Sequence, residues 1–300
     1  MTPELVVVGN LAVDDIVYPD GTTRMGQSGG ACIYVALGAS LWGTRVGIVS
    51  RAGTDYPAEM IKSLGSQGVD LGGIHKLDSP GLRTWLLYEG DLRRVVHQLG
   101  SATHAEASPT IEDFPEGWAS GAVHIAPLPM EIQYRLVADL SGGSTSQISM
   151  DPYELIDKSS LDSWKGLVRR VDLLFVSEDE MAEPSWRSEP QPILKQLVGG
   201  MLRSVVYKQG SKGGVAMDYQ TSNTMKWEAR CGAVVDQTGA GDAFAGGTLA
   251  GLILGDDLSA ALERGVVSAS FAIETRGASG LLDASPDRAV DRLREWFGRP

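Results

Sequence analysis

Cysteine is scarce in this chain. The two present among 300 residues, Cys32 and Cys231, lie far apart beside apolar or glycine neighbours. That pattern argues against a disulfide framework and a zinc site, and makes a reducing cytoplasm the simpler setting. Histidine is scarce too: His75, His97, His104 and His124 have no metal-ligand spacing, and each reads more simply as a structural residue. Positive charge falls short of negative, with 26 Lys and Arg against 38 Asp and Glu and a formal net charge of −12. Such a surface opposes non-specific binding to nucleic acid and to anionic lipid, leaving small molecules as the expected ligands. No run approaches the roughly 18 apolar residues that a membrane helix needs. No basic leader precedes the first apolar segment, so neither a span nor a targeting signal is expected. Internal repeats, low-complexity tracts and an evident linker are also missing.

What is present suits a globular α/β protein. Hydrophobic residues make up 43% of the chain, and glycine is unusually frequent at 37 residues. The three valines in residues 4–9 read as a central strand buried on both faces, as in parallel sheets. A helix over 31–42, a strand over 45–50, a helix over 57–67 and a strand over 73–77 set up the βαβ rhythm. It resumes with strands at 123–125, 147–150 and 172–176 and helices at 130–140 and 161–169. Strands at 204–208 and 214–217 then precede a helical end at 240–253, 258–274 and 286–297. Two segments break the rhythm. Residues 14–27, with the turn Pro19-Asp20-Gly21, and residues 82–99, turning at Glu89-Gly90-Asp91, read as hairpins. Together they predict a small sheet standing off the main body as a lid, within one domain spanning 1–300. Arg83, Trp85 and Tyr88 on this hairpin read as packing residues ahead of substrate contacts.

The chemistry concentrates in Val234-Val235-Asp236-Gln237-Thr238-Gly239-Ala240-Gly241-Asp242-Ala243-Phe244-Ala245-Gly246-Gly247. A strand end, a small-residue turn and a helical run aim the N–H groups of Gly239, Ala240, Gly241 and Asp242 outward at a helix N-terminus, where the macrodipole favours an anion. A carboxylate in an anion cradle needs its own explanation. Asp242 as a general base would accept a hydroxyl proton while neighbouring amides stabilise a migrating phosphoryl group. Ordinary helix capping is the structural alternative.

The string from Asp236 to Gly247 resembles the C-terminal signature of the ribokinase-like (PfkB) carbohydrate kinases, DTxGAGD followed by a small-residue helix. The resemblance extends from Val6 to about Gly280, although only the block from Gly239 to Asp242 is highly specific. It implies a three-layer α/β/α fold with a mostly parallel central sheet and a small β-sheet lid. It also implies ATP with magnesium as cofactors and a sugar, cyclitol or nucleoside as acceptor. Asp14, in Gly9-Asn10-Leu11-Ala12-Val13-Asp14, matches the family's substrate-binding aspartate, and Gly29-Gly30 matches its glycine pair at the next helix. Tyr34 stands where many sugar kinases have Asn, which tilts the substrate toward a cyclitol or nucleoside. Ser177 and Glu180 occupy the N-x-x-E motif that orders the magnesium–phosphate region, with Ser in place of Asn. An acidic helix start is the alternative there. Lys208-Gln209-Gly210-Ser211-Lys212-Gly213 resembles the T-x-G-x-x-G nucleotide loop, nominating Lys208, Gly210 and Lys212, with a hairpin turn as the alternative. Asp236 and Thr238, beside Thr275-Arg276-Gly277, fall where many members bind a monovalent cation such as potassium. A homodimer through the lid is a further expectation.

Two rivals stand beside the kinase. One is a catalytically inactive sugar- or nucleotide-binding protein of the same fold, kept open by Tyr34 and Ser177. The other is a nicotinamide-dependent oxidoreductase, disfavoured because Asn10-Leu11-Ala12 and not a G-x-G-x-x-G follows the first strand.

Overall fold

A computed structural model of the chain describes residues 2–89 and 92–299. Strand β1 (Leu5–Val8) is completely buried. Leu5 and Val7 face one apolar cluster while Val6 and Val8 face another, so the run of valines needs helices on both sides. β1 pairs in parallel with β4 (Val46–Ala52) on one flank and β8 (Ala122–Ile125) on the other. Beyond β4 lies β5 (Asp70–Lys76), and beyond β8 lie β9 (Gln147–Met150), β10 (Leu173–Ser177) and β11 (Ser204–Lys208), all parallel. β12 (Gly214–Asp218) and β13 (Asn223–Trp227) complete the sheet as an antiparallel edge, in the order β13-β12-β11-β10-β9-β8-β1-β4-β5. Parallel strands send all their carboxyl ends to one edge, and residues that follow them collect there.

One face is covered by α1 (Ala31–Ser40), α8 (Ala240–Ile253) and α9 (Leu258–Ile273), flanked by α2 (Ala58–Ser66), α10 (Ser279–Leu282) and α11 (Pro286–Phe297). The other face carries α4 (Met130–Ser141), α5 (Leu161–Val168) and α7 (Gln191–Leu197), with the short α3 (His104–Ala107) and α6 (Pro184–Ser188) at its margins. Residues 32–39 of α1 and 243–251 of α8 are buried on every side, which a helix tolerates only when it is apolar all round. The two helices approach backbone to backbone. A Cβ on Gly246 would lie 2.1 Å from the Val35 carbonyl oxygen, and one on Gly38 would lie 2.5 Å from that of Ala243. Only hydrogen fits at either place.

The small sheet holds β2 (Ala12–Val17), β3 (Thr23–Gly29), β6 (Leu82–Glu89) and β7 (Leu92–His97) in the order β3-β2-β6-β7. The two expected hairpins are joined through parallel pairing of β2 with β6. The expected turn residues Gly90 and Asp91 lie outside the described residues. Asp15 locks this sheet together, accepting from Arg83 Nε and Nη2 at 2.8 and 2.9 Å, Gln98 Nε2 at 2.7 Å and the Gly26 N–H at 2.7 Å. The Arg83 guanidinium, with the other donors, outweighs burial and lowers the Asp15 carboxyl to about 2.

Most expected elements appear within a few residues of their expected bounds. One expectation needs correction: Val234-Val235 is not a strand. Both valines are about half exposed, at 52% and 53%, because β13 already closes the sheet and no neighbour remains for them. The Val235 and Asp236 N–H groups donate instead to the Ile273 carbonyl at the end of α9, at 2.8 and 3.2 Å. Gly29 also belongs to β3, with Gly30 alone capping α1.

Asp15 binds its proton more weakly folded than unfolded, so its contribution is complete above about pH 4 and fades as pH falls from 4 toward 2. From the drop of the carboxyl from 3.8 to about 2, Asp15→Asn should cost about 2 kcal/mol at pH 7 and flatten that acid limb in urea titrations. Gly246→Ala should cost about 2 kcal/mol through overpacking. Gly65→Ala in α2, where a Cβ meets only Leu71 at 3.5 Å, should be neutral or slightly stabilising.

Candidate active site

The turn before α8 is built around Gly239, whose φ of 77° is left-handed. A Cβ here would fall 2.2 Å from Tyr34 Cδ1. The buried Tyr34 ring from α1 therefore lies directly against the turn. It is the close α1–α8 packing that brings them together. Burial raises the Tyr34 phenol far above its ordinary value, reinforced by the nearby carboxylates of Asp236, Asp14 and Asp242. Tyr34 thus stays a neutral hydroxyl among acids. Asp242, in the first turn of α8, is partly exposed and is not folded into the core. The same carboxylate helps burial raise the neighbouring Cys32 thiol to about 12.

Asp14 comes from β2 and meets the turn from the lid side. Its Oδ1 accepts from Thr84 Oγ1 at 2.5 Å, and its Oδ2 lies 1.9 Å from where a Gly29 Cβ would stand. Glycine at 29 is what admits the carboxylate. Gly30 is just as crowded, its Cβ position lying 2.3 Å from the Asn10 carbonyl oxygen. Tyr56 steadies this corner by donating to the Gly29 carbonyl at 3.3 Å.

A buried charge network lies beneath Gly241. Lys208 ends β11, and its ammonium hydrogen-bonds the Asp151 carboxylate just past β9. Nζ stands 3.4 Å from where a Gly241 Cβ would be. Burial alone would raise the Asp151 carboxyl, but Lys208 and His124 outweigh it and hold the group ionised below the ordinary carboxylate range. Burial likewise opposes the Lys208 charge, yet Asp151, Glu180 and Asp242 keep the ammonium above its usual value. The fully buried His124 stands behind, with Nε2 3.4 Å from Asp151 Oδ2 and Nδ1 3.0 Å from Ser149 Oγ. Glu180 closes the group. It accepts the Ser177 N–H at 2.6 Å, while desolvation, with Asp151 and Asp242 adding to it, pushes its carboxyl up to about 8.

Asp236 and Thr238 tie loops together. The Asp236 carboxylate accepts the N–H groups of Thr238 at 2.9 Å and Gly277 at 3.3 Å. The Thr238 hydroxyl pairs with the Tyr88 hydroxyl of the lid at 2.7 Å. Arg276 lies 4.9 Å over the Tyr18 ring, which stacks on Tyr88 at 5.9 Å. Of the lid residues read as packing, Arg83 is internal, whereas Tyr88 reaches the turn. Gly210 and Lys212 occupy the β11–β12 connection, where Lys212 is 3.4 Å from Glu178. They stand beside an open groove of about 900 Å³ lined by Gln209, Lys212, Lys226 and Trp227, which Asp14, Glu180 and Asp242 do not line.

The structure thus gathers Asp14, Gly29, Gly30, Tyr34, Ser177, Glu180, Lys208, Asp236, Thr238 and the residues 239–242 about one helix N-terminus, with Gly210 and Lys212 at its periphery. Sequence reasoning missed Asp151 and Thr84. Asp151 had a usable signal, an acid directly after the buried strand 147–150 at the edge where parallel strands end. Thr84 had none, because pairing of β2 with β6 is not local in sequence. Among the described residues no group of three or more histidine, cysteine, aspartate or glutamate side chains is placed to hold a metal unaided. No helix among them is long and apolar enough to cross a membrane.

Comparison with known proteins agrees with this geometry. A family model described as pfkB family carbohydrate kinase matches residues 3–284. The cytidine kinase of Thermococcus kodakarensis is 29% identical, over 91% of this chain and 97% of its own length. The crystal structure of the nucleoside kinase of Methanocaldococcus jannaschii, a ribokinase-family member, superposes with a TM-score of 0.72 at 20% identity, covering 98% of this chain and 100% of its own. The nucleoside kinase of Burkholderia thailandensis in complex with inosine gives 0.76 at 15% identity, covering 98% and 97%. The fold is therefore ribokinase-like, and the nicotinamide-dependent oxidoreductase is set aside. Extending over nearly the whole chain, the family match establishes that this protein belongs to the pfkB carbohydrate kinases and is a phosphotransferase acting on an alcohol group.

Proposed function

We propose that the enzyme transfers the γ-phosphoryl group of ATP to a hydroxyl of a small polyhydroxylated substrate, a nucleoside ahead of a cyclitol or simple sugar, with Asp242 as general base. The observation that carries this reading is the placement of Asp242: a partly exposed carboxylate in the first turn of α8, beside the Gly239 turn, with the Tyr34 phenol within electrostatic reach of both Asp242 and Asp14. Asp14 and the Gly29-Gly30 backbone grip vicinal hydroxyls, Thr84 holding Asp14 in place. Asp242 takes the proton of the attacking hydroxyl as the O–P bond forms and the bond to the ADP oxygen breaks. The N–H groups at the start of α8 stabilise charge on the phosphoryl oxygens, and Lys208 adds a fixed positive charge beneath Gly241. The lid sheet excludes water that would otherwise compete as acceptor.

The acids at this edge suit a magnesium ion arriving on the ATP phosphates. Glu180, beside Ser177, would hold it indirectly, and its chemistry would be neutralisation of phosphate charge. Gly210 and Lys212 would approach the nucleotide from the β11–β12 connection. A potassium ion beside Asp236 and Thr238 belongs to the same proposal, and it would need backbone carbonyls as additional ligands, because that carboxylate already accepts two N–H groups. The preference for a nucleoside draws on Tyr34 and on the named activities of the relatives. A homodimer through the lid is proposed from its exposed Met25, Val95 and Val96.

Asp242→Asn should lower kcat by about 10²–10⁴-fold, with the fold and ATP affinity retained. Near-normal ADP production by that variant would remove the base assignment, and no ADP production by the wild type with any polyol or nucleoside would favour the inactive binding protein. Asp151→Asn should destabilise by about 3–5 kcal/mol by leaving Lys208 charged, buried and unpaired. Asp151→Asn with Lys208→Met should regain most of that stability without regaining nucleotide affinity. Full recovery of both, in denaturation and binding titrations, would reduce the ion pair to a structural part.

A further inference from the structure

The phosphoryl chemistry leaves one cluster on the same sheet edge unused. Asn10 follows β1 and Tyr153 follows β9, two strands apart on the edge where the parallel strands end. His104, the first residue of α3, bridges them. Its Nδ1 lies 3.0 Å from Asn10 Nδ2, and its Nε2 lies 3.4 Å from the Tyr153 hydroxyl. With the amide N–H of Asn10 donating to Nδ1, the imidazole proton sits on Nε2 and faces the Tyr153 oxygen. The His104 and Tyr153 rings are 5.3 Å apart, and His97 of β7 stacks on His104 at 5.7 Å with an interplanar angle of 25°.

The burial of these side chains runs in a telling direction. Asn10 is only 7% exposed, whereas Tyr153 is 47% exposed and His97 is also exposed. A buried amide thus fixes rings whose outer members face water. Packing alone does not call for two imidazoles and a phenol half in solvent at a polar edge. Burial, with His97 beside it, lowers the His104 pKa below its ordinary value, which favours the neutral imidazole in the middle of the cluster. The cluster is also continuous with the acceptor cradle. The Asn10 carbonyl oxygen abuts Gly30, and the adjoining Gly29 carries Asp14 against its backbone. A substrate whose hydroxyls were held by Asp14 would have these rings beside it, the Tyr153 ring tilted by 59° from that of His104.

We propose that His104 and Tyr153, with His97 above them, form a subsite that takes the planar base of a nucleoside by stacking, while Asn10 acts as a positioning residue for the imidazole. This deepens the reading given above and rests on Asp14 as the hydroxyl-binding residue. Loss of one stacking partner is worth about 10–100-fold in affinity for the base-bearing ligand.

The test is calorimetric titration of the full chain, with a non-hydrolysable ATP analogue present, using cytidine and ribose as probes. Wild type should bind cytidine at least tenfold more tightly than ribose. Tyr153→Ala and His104→Ala should each cut that ratio at least tenfold, and Tyr153→Phe should keep most of it. Tyr153 is exposed enough that its replacement leaves folding intact. Asn10→Ala should lower the ratio and also shift the NMR-detected titration of His104, a readout that loss of packing alone does not produce. Equal affinities for cytidine and ribose in the wild type, or an unchanged ratio in Tyr153→Ala, would overturn the subsite. Neither outcome touches the phosphotransfer reading, which ADP formation tests separately.

Discussion

Two helices that touch through their backbones set the position of the Gly239 turn and of Asp242. Gly38 of α1 and Gly246 of α8 each leave room for a carbonyl oxygen of the other helix where a Cβ would stand. Side-chain packing normally keeps helix axes about 8–10 Å apart. Removing the side chains lets α8 sink toward α1 until the Tyr34 ring rests on Gly239. The same small-residue stripe continues on the far side of α8, where Gly247 and Gly265 admit α9. The helix N-terminus that holds Asp242 is thereby fixed by rigid backbone on two sides. A general base must sit within hydrogen-bond reach of its proton, and a glycine-lined helix interface meets that demand better than a loop could.

The charge network beneath the turn has a different logic. A buried ion pair seldom adds net stability over an apolar replacement, because desolvation offsets most of the attraction. Lys208 and Asp151 are both deeply buried, with side chains 11% and 1% exposed, so stability is a poor reason for keeping them. Their position is the better one. The ammonium lies against Gly241, among Asp151, Glu180 and Asp242, where it offsets acids that would otherwise repel a polyphosphate. Asp151 holds it there, and His124 and Ser149 hold Asp151.

Local signals in the sequence were enough to read the layer architecture. A run of valines, strand–helix alternation and Asp-Gly turns are short-range patterns, and they predicted the parallel core and the paired hairpins. The Gly-Ala-Gly-Asp block was legible for the same reason. Its chemistry and its helix start are contiguous. Val234-Val235 misled because β-branched residues fit a strand wherever a neighbour exists, and here the sheet had already ended at β13. The edge strand Asn223–Trp227 went unseen because most of its residues are polar and solvent-facing, so it lacks an apolar alternation. Partnerships across the fold were illegible in principle: Thr84 with Asp14, Lys208 with Asp151 and Tyr88 with Thr238 are 70, 57 and 150 residues apart. Residue type marked at least one member of each pair, and only the tertiary arrangement joined it to its partner.

The small sheet is held together around one carboxylate. Within it, Asp15 gathers four hydrogen bonds in a nearly buried setting, and charge-assisted bonds of that kind are worth about 1.5–3 kcal/mol each. Across the cleft, the hydroxyl pair of Tyr88 with Thr238 joins the sheet to the turn before α8, and Arg276 over Tyr18 adds a second contact. A neutral hydrogen bond contributes about 1 kcal/mol and an exposed cation–π contact about as little. The Asp15 network ties the strands of the small sheet into one body, on which Asp14 and Thr84 are carried together. Asp14 rides on β2 of that sheet while Asp242 stands in the first turn of α8, so the two carboxylates proposed above to hold and to deprotonate the acceptor come from separate layers of the fold.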